Sequence, residues 1–382
     1  MNNELRIIKR KAVKIFSEED LDKKINSGKK LTIKLGADPS RPDLHIGHSV
    51  VLKVLKQFQD MGHEVVFVVG DFTGMIGDPT GRSKTRPALT FEETRKSAET
   101  YLEQATRILD KNKTRIVFNS EWLSKMNFED VVSLTSKYTV ARLMERDDFK
   151  SRFANNLPLS MHELLYPLMQ GYDSVELKAD TDQTFNLLVG RELQKDYGQE
   201  SQVVMTFPLL VGLDGKEKMS KSLNNYIGLN DTPFEKFEKS MKIPDEALRQ
   251  YFELATDLPT EKINTIMKKD IRIAHMEFAR ELLKMYDNED EFEEVKSRYE
   301  SIAKGNIPNN IEKIKINEDN LNLCDVLVKV GFANSKSEAK RMILGNGVKI
   351  DGRIANNYNE VIDLKESRVI QFGKNRFIQT SR

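Results

Sequence analysis

The chain has 382 residues, enough for two or three domains with a sizeable core. Its 60 Lys/Arg against 59 Asp/Glu exclude a globally basic nucleic-acid binder, so any RNA-binding face has to be local. A single cysteine, Cys324, excludes an intrachain disulfide framework, and no long apolar span occurs, so we expect a cytoplasmic protein without membrane contact.

Residues 1–30 read as a helical lead-in that stops at Ser27-Gly28. Leu31 to Leu35 reads as a short buried strand. Gly36, Asp38-Pro39 and Pro42-Asp43 form a turn, and apolar residues then recur at helical spacing from Val50 to Phe58. His45-Ile46-Gly47-His48 therefore opens a helix. Two imidazoles beside a helix N-terminus suit a developing negative charge, because unpaired N–H groups and the dipole already favour phosphate there. Gly47 leaves room for a flat ring against the backbone. The alternative is one surface histidine and one capping histidine. A metal site is disfavoured, since no carboxylate or Cys follows at ligand spacing.

Val65 to Gly70 is a continuous apolar run, as in a strand buried on both faces of a parallel sheet. The run Gly70-Asp71-Phe72-Thr73-Gly74-Met75-Ile76-Gly77-Asp78-Pro79 follows, placing Asp78 beyond a strand end. Helical pattern resumes over Phe91 to Leu109, with a strand at Arg115 to Phe118. This alternation predicts an α/β fold, a Rossmann-like doubly wound parallel sheet with its site at the strand C-termini. Residues 120–165 interrupt it as a charged helical insertion. In Tyr166-Pro167-Leu168-Met169-Gln170-Gly171-Tyr172-Asp173, the polar Tyr166, Gln170 and Asp173 share one helical face. Phenol, amide and carboxylate on one stripe make a small-molecule site or, alternatively, a solvent-facing stripe.

Lys218-Met219-Ser220-Lys221-Ser222 lies in a loop after Gly212-Leu213-Asp214-Gly215, where two lysines three apart can clamp a polyphosphate. Residues 231–306 are wholly helical, and 306–320 reads as a linker. Residues 319–382 carry eleven Lys/Arg against seven Asp/Glu. They read as two helices, the second opened by the capping box Ser335-Lys336-Ser337-Glu338, followed by short strands.

The HIGH and KMSKS stretches, in this order, resemble the signature pair of class I aminoacyl-tRNA synthetases. With the Tyr166–Gln170–Asp173 stripe and a tail resembling an S4 RNA-binding domain, the chain resembles the bacterial tyrosine–tRNA ligase family over nearly its whole length. Lys34 and the 70–79 run fit the branch of that family with Lys at this position. The sister tryptophan–tRNA ligases are not expected to carry the stripe or the tail. The resemblance implies a catalytic domain over 1–230, a helical anticodon-binding-type domain and linker over 231–318, and a small α+β S4-like domain over 319–382. It implies ATP-dependent attachment of tyrosine to tRNA(Tyr) through a tyrosyl-adenylate, with Mg²⁺ accompanying ATP and a homodimer.

By the same resemblance Asp78, Tyr166 and Gln170 hold the substrate amino group, Asp173 accepts the phenol proton, and Gln183 serves the carboxyl side. Asp182 meets the ribose, while Gly36, Asp38, Gly47 and Met219 cradle the adenosine. His45, His48, Lys218, Lys221, Arg82 and Arg86 stabilise the reacting phosphates. Lys336, Lys340, Arg341, Lys349 and Arg353 face tRNA phosphates. One departure stands out. Ala179-Asp180 runs straight into Thr181-Asp182-Gln183, about five residues short of the family's usual length. We expect either Val175 to Lys178 to be drawn out of the preceding helix to replace a central strand, or the pocket to be compromised. The second case gives the alternative of an RNA-binding paralogue with impaired catalysis.

Overall fold

The structure is a computed structural model, and it describes residues 3–38, 44–77, 90–182, 187–308 and 311–381. It divides into two compact units, Met1–Tyr286 and Asp287–Arg382.

In the first unit, the lead-in is two helices, α1 (Asn3–Lys11) and α2 (Glu18–Asn26), around a strand β1 (Lys14–Phe16) that the helical expectation missed. The chain continues through β2 (Thr32–Ala37), α3 (Ile46–Asp60), β3 (Glu64–Val69), α4 (Asp71–Ile76), α5 (Phe91–Ala105) and β4 (Thr114–Phe118). Helices α6 (Ser120–Leu123), α7 (Phe128–Ser136), α8 (Val140–Leu143) and α9 (Asp147–Ala154) follow, and α10 (Met161–Glu176) carries the polar stripe. Strand β5 (Thr181–Asp182), α11 (Leu187–Asp196) and β6 (Val203–Thr206) complete the sheet. The strand order is β1-β6-β5-β2-β3-β4, parallel throughout except for β1, which pairs antiparallel with β6. Val65 to Val69 are each at most 1% exposed, which explains their unbroken apolar run. Since β2 has β3 on one side and β5 on the other, the winding direction reverses there, and a crevice opens at the carboxyl ends of these strands.

The feared loss of a central strand is corrected by β5. Thr181 and Asp182 pair with Ile33 and Lys34 of β2 and with Val203 and Val204 of β6. Helix α10 is not drawn out: Leu177 caps it, and Lys178 turns the chain with φ 49°. Asp180 then anchors the strand entry, its backbone N–H donating to Thr32 O at 2.9 Å and its carboxylate accepting from Thr32 N at 2.9 Å and Lys24 Nζ at 3.0 Å. Gln194 donates to both Ser174 O and Ala179 O, closing the short connection from inside. A two-residue strand suffices because its neighbours supply the ladder on both sides.

Helices α12 (Pro233–Ser240), α13 (Asp245–Ala255), α14 (Thr260–Met267) and α15 (Ile271–Tyr286) share this unit and its core. Asp257, between α13 and α14, accepts from Lys11 Nζ of α1 at 2.9 Å and Lys53 Nζ of α3 at 3.0 Å. Burial pushes the Lys11 ammonium down to about 8, against the pull of Asp257. These contacts fix the far half of α3, whose first turn carries the histidine pair.

The second unit opens with α16 (Phe292–Ala303). The expected linker is corrected in part, because Glu312–Lys315 forms β7, which runs parallel to β13 (Arg376–Ser381). Between them lie β8 (Asn320–Asn322), α17 (Leu323–Lys329), α18 (Lys336–Leu344), β9 (Val348–Ile350), β10 (Arg353–Ile354), β11 (Val361–Asp363) and β12 (Val369–Phe372). Ser335 caps α18 through Glu338 N. Leu323, Val326, Leu327, Ile343, Val348 and Ile370 form this unit's own core. Among the described residues no helix is long and apolar enough to cross a membrane.

Candidate active site

His45 is the N-cap of α3, and the two imidazoles form a reciprocal capping box. Gly47 N donates to His45 Nδ1 at 3.1 Å, and His45 N donates to His48 Nδ1 at 3.2 Å. The capping alternative is therefore part of the answer, and it has a chemical consequence. With Nδ1 accepting on each ring, a neutral imidazole carries its proton on Nε2 and is a hydrogen-bond donor there. Burial, then His48, then Lys221 hold His45 down to about 3; burial and Lys221 hold His48 down to about 4. Both rings are neutral donors across the physiological range.

The ring centroids lie 3.8 Å apart. A Cβ on Gly47 would stand 2.9 Å from the His45 ring, so this glycine is required by close approach. The same Cβ position is 3.7 Å from Met219 Sδ, which places the second signature loop against the first. That loop is held from below. Met219 N donates to Leu210 O at 2.8 Å, Ser220 N donates to Asn225 Oδ1 at 2.7 Å, and Asn225 Nδ2 also reaches Lys218 O at 3.2 Å. Ile46 N donates to Ile227 O at 3.0 Å, joining the segment after the loop to the start of α3. Lys221 thus brings its charge to both histidines, while Lys218 is exposed.

Across the crevice, Tyr166, Gln170 and Asp173 of α10 face the end of β2 and not solvent. Tyr166 Oη donates to Asp38 Oδ2 at 2.6 Å, and Gln170 Nε2 donates to Tyr166 Oη at 2.8 Å. Thr73 Oγ1 donates to Asp38 Oδ1 at 2.7 Å, and Asn119 Nδ2 donates to Thr73 Oγ1 at 3.0 Å. Trp122 Nε1 donates to Asp173 Oδ1 at 2.9 Å. Lys34, Gly36, Asp38, Val68, Gln170 and Asp173 line one cavity together with Ala37 and Gly70. Sequence reasoning missed Thr73, Asn119 and Trp122; the one available signal was that Trp122 is the chain's single tryptophan.

Gly70 is another close approach. A Cβ there would fall 1.8 Å from Asp38 Oδ1 and 2.4 Å from Thr73 Oγ1. Gly70→Ala should push Asp38 off Tyr166 and lower kcat/KM for activation about 10²-fold, the cost of an ångström-scale misplacement. Steady-state exchange kinetics check this, and an unchanged value would mean that the network has no part in substrate positioning.

Burial pushes the Asp173 carboxyl up to about 7; Lys34, Trp122 and Asn119 oppose this, and Asp38 adds to it. Below pH 7 the Asp173 carboxyl is therefore held protonated. If the ionised form accepts the phenol proton, KM for tyrosine rises as pH falls from 8 to 6, by up to about tenfold per unit at the acid limit. Asp173→Asn removes this dependence, and a wild-type KM flat over that range would remove Asp173 from the phenol end.

Asp78, Arg82, Arg86 and Gln183 lie outside the described residues. The backbone of Asp182 ends β5 opposite Lys34, at the crevice. In the second unit, Lys336 pairs with Asp325 at 2.5 Å, Arg353 pairs with Glu360, and Lys340 Nζ stands 3.9 Å over the Tyr358 ring. Arg341 is exposed on α18, and Lys349 is half-buried on β9. Among the described residues no group of three His, Cys, Asp or Glu could hold a metal ion.

Residues 26–304 match the family model of class I tRNA synthetases for tryptophan and tyrosine, and residues 323–367 match the S4 domain model. The chain is 48% identical to a tyrosine–tRNA ligase of Deinococcus radiodurans, over 99% of this chain and 96% of that protein. It is 46% identical to one from Thermotoga maritima, over 99% and 97% of the two chains. The fold is shared with the tyrosyl-tRNA synthetase of Archaeoglobus fulgidus solved with L-tyrosine, at TM-score 0.63 and 22% identity over 76% of this chain and 99% of that one. A truncated mitochondrial tyrosyl-tRNA synthetase of Aspergillus nidulans gives TM-score 0.66 at 21% identity, over 79% and 94%. Two signature stretches packed at the sheet's switch point and these full-length matches give one conclusion: the chain belongs to the tyrosine–tRNA ligase family of class I aminoacyl-tRNA synthetases.

Proposed function

We propose that this chain joins tyrosine to tRNA(Tyr) in two steps at the β2/β5 crevice, activating tyrosine with ATP and then passing the tyrosyl group to the tRNA 3′ end. The observation that carries this reading is the packing of Met219 and Lys221 onto the His45/His48 cap, opposite the Tyr166–Gln170–Asp38 network. Tyr166 and Gln170, with Asp78, hold the α-amino group, Asp173 takes the phenol, and Gln183 serves the carboxyl side. Gly36, Asp38 and Gly47 cradle the adenosine, and Asp182 meets the ribose. The tyrosine carboxylate attacks the α-phosphorus and pyrophosphate leaves, so no strong base is needed. Nε2–H of His45 and His48, and the cations Lys218, Lys221, Arg82 and Arg86, meet the charge that develops on the phosphate oxygens. Mg²⁺ enters with ATP, as part of the substrate.

Lys336, Lys340, Arg341, Lys349 and Arg353 contact tRNA phosphates, and residues 231–318 supply the helical anticodon-binding-type domain and linker. A second copy covers the insertion, where the apolar Phe128, Val140, Phe153 and Met161 are 82%, 62%, 71% and 76% exposed. The lone Cys324, reduced and buried, is consistent with residence in the cytoplasm. Tyrosine-dependent ATP–pyrophosphate exchange tests the reading. Exchange should depend on tyrosine and not on phenylalanine or tryptophan; equal exchange with tryptophan would overturn the amino-acid assignment, and none with any of the three would favour the impaired paralogue.

A further inference from the structure

We propose that Asn225 is a positioning residue for adenylate formation: its buried side-chain amide ties the 212–215 turn to the backbone at Lys218 and Ser220, and so aims Lys218 and Lys221 at the phosphates. The proposal rests on the reading of these two lysines as the phosphate clamp and adds the residue that holds them.

Asn225 is 4% exposed and lies four residues beyond Lys221. Its amide is fully engaged. Oδ1 accepts from Ser220 N at 2.7 Å, while Nδ2 donates to Lys218 O at 3.2 Å and to Asp214 Oδ2. Two acceptor oxygens and one N–H donor around the group allow a single amide orientation. Asp214 is itself set in place, its Oδ1 accepting from Lys216 N and Glu217 N at 2.9 Å each. The main chain of Asn225 adds two more ties: its carbonyl accepts from Leu213 N at 2.9 Å, and its N–H donates to Ser220 O at 3.5 Å. Gly212 permits this seating, since a Cβ there would fall 2.1 Å from Asn225 Nδ2. The base of the turn is held from α13, where the buried Tyr251 donates its hydroxyl to Val211 O, and Val211 pairs with Lys218.

Lys218 O and Ser220 N lie on either side of Met219. Holding both fixes the two peptide planes and the directions in which Lys218 and Lys221 leave the chain. A lysine stem is long and flexible, so a fixed backbone origin reduces what must be ordered when the ammonium meets a developing phosphate charge. An isosteric carboxylate cannot do this. Aspartate has no donor for Lys218 O, and it would face the Asp214 carboxylate with like charge. The partners of the amide are protein groups, so its loss acts through the lysines.

The full chain serves for the test, with single-turnover adenylate formation and equilibrium tyrosine binding as readouts. Asn225→Ala should slow adenylate formation about 10²-fold, the cost of an ångström-scale misplacement, with tyrosine affinity kept within about twofold. The same change made in Lys221→Ala should cost no more than about tenfold, since one group that it aims is already gone. Asn225→Asp should be as slow as Asn225→Ala. Full additivity in the double variant overturns the proposal, as a merely structural role would give, and so does a near-wild-type rate in Asn225→Asp. Asp214 lies on an exposed turn, so Asp214→Ala decides the matter if Asn225→Ala does not fold. It should slow adenylate formation about tenfold, with the same non-additivity toward Lys221→Ala, and an unchanged rate would overturn the proposal. A wild-type rate in Lys221→Ala defeats the underlying phosphate clamp; a slow Lys221→Ala with an additive Asn225→Ala defeats only the role of Asn225.

Discussion

Replacing Lys221 with Ala should slow tyrosyl-adenylate formation by about 10²- to 10³-fold, the usual cost of removing one preorganised group from a developing oxyanion. Tyrosine affinity should stay within about twofold, since the loop meets pyrophosphate chiefly at the transition state. Lys221 is held where it acts. Its neighbour Ser220 is tied to Asn225, Met219 is buried at 6% exposure against the histidine cap, and the charge reaches both rings. Both rings are neutral, so the Lys221 cation supplies the positive charge that two neutral donors lack. Single-turnover adenylate formation and equilibrium tyrosine binding separate the two effects. Collapse of tyrosine affinity with an undiminished chemical step would show that Lys221 belongs to the amino-acid pocket.

The histidine pair and the polar stripe are legible in the sequence because each is local. His45 and His48 meet through a helix cap three residues long, and the Tyr166–Gln170–Asp173 stripe follows from helical period alone. What lay beyond reach was the pairing of local pieces. Tyr166 and Asp38 are 128 residues apart, and Trp122 and Asp173 are 51 apart. No periodicity announces that an indole will close on a carboxylate. The stripe could equally have faced water, and the choice was made by Asp38, Thr73 and Asn119, contributed from three separate parts of the sheet and its connections. Gly70 read as punctuation after an apolar strand. Its requirement comes from an Asp38 oxygen that would lie 1.8 Å from a Cβ.

The shortened segment before Thr181 misled for a related reason. Within the segment itself two residues are too few to register as a strand by alternation. A central strand is stabilised from both flanks, however, and β2 and β6 already present their ladder edges to Thr181 and Asp182. Asp180 and Gln194 tie the approach, so α10 keeps its last turn and Asp173 keeps its partners. The same limit hid β1, whose three residues exist as a strand only because β6 offers an edge.

Removing Asp287–Arg382 should leave tyrosine-dependent exchange nearly intact and lower kcat/KM for tRNA charging by at least about 10²-fold at physiological salt. The cut follows the boundary between the compact units, each with its own core, and avoids separating β7 from β13. Every proposed catalytic group precedes it. Residues 319–382 hold eleven Lys/Arg against seven Asp/Glu, within a chain that is otherwise charge-balanced. Several of those cations are already engaged inside the unit, as Lys336 is with Asp325 and Lys340 is with Tyr358. Each such exposed pair is weak and exchangeable for phosphate at small cost. Binding of tRNA by the full chain should therefore fall with rising salt more steeply than binding by the truncated one, each lost phosphate contact taking close to one unit from the slope. Exchange and charging assays on both proteins, with binding followed across a salt series, measure all three quantities. Equal charging by the truncated protein would show that the second unit does not grip tRNA.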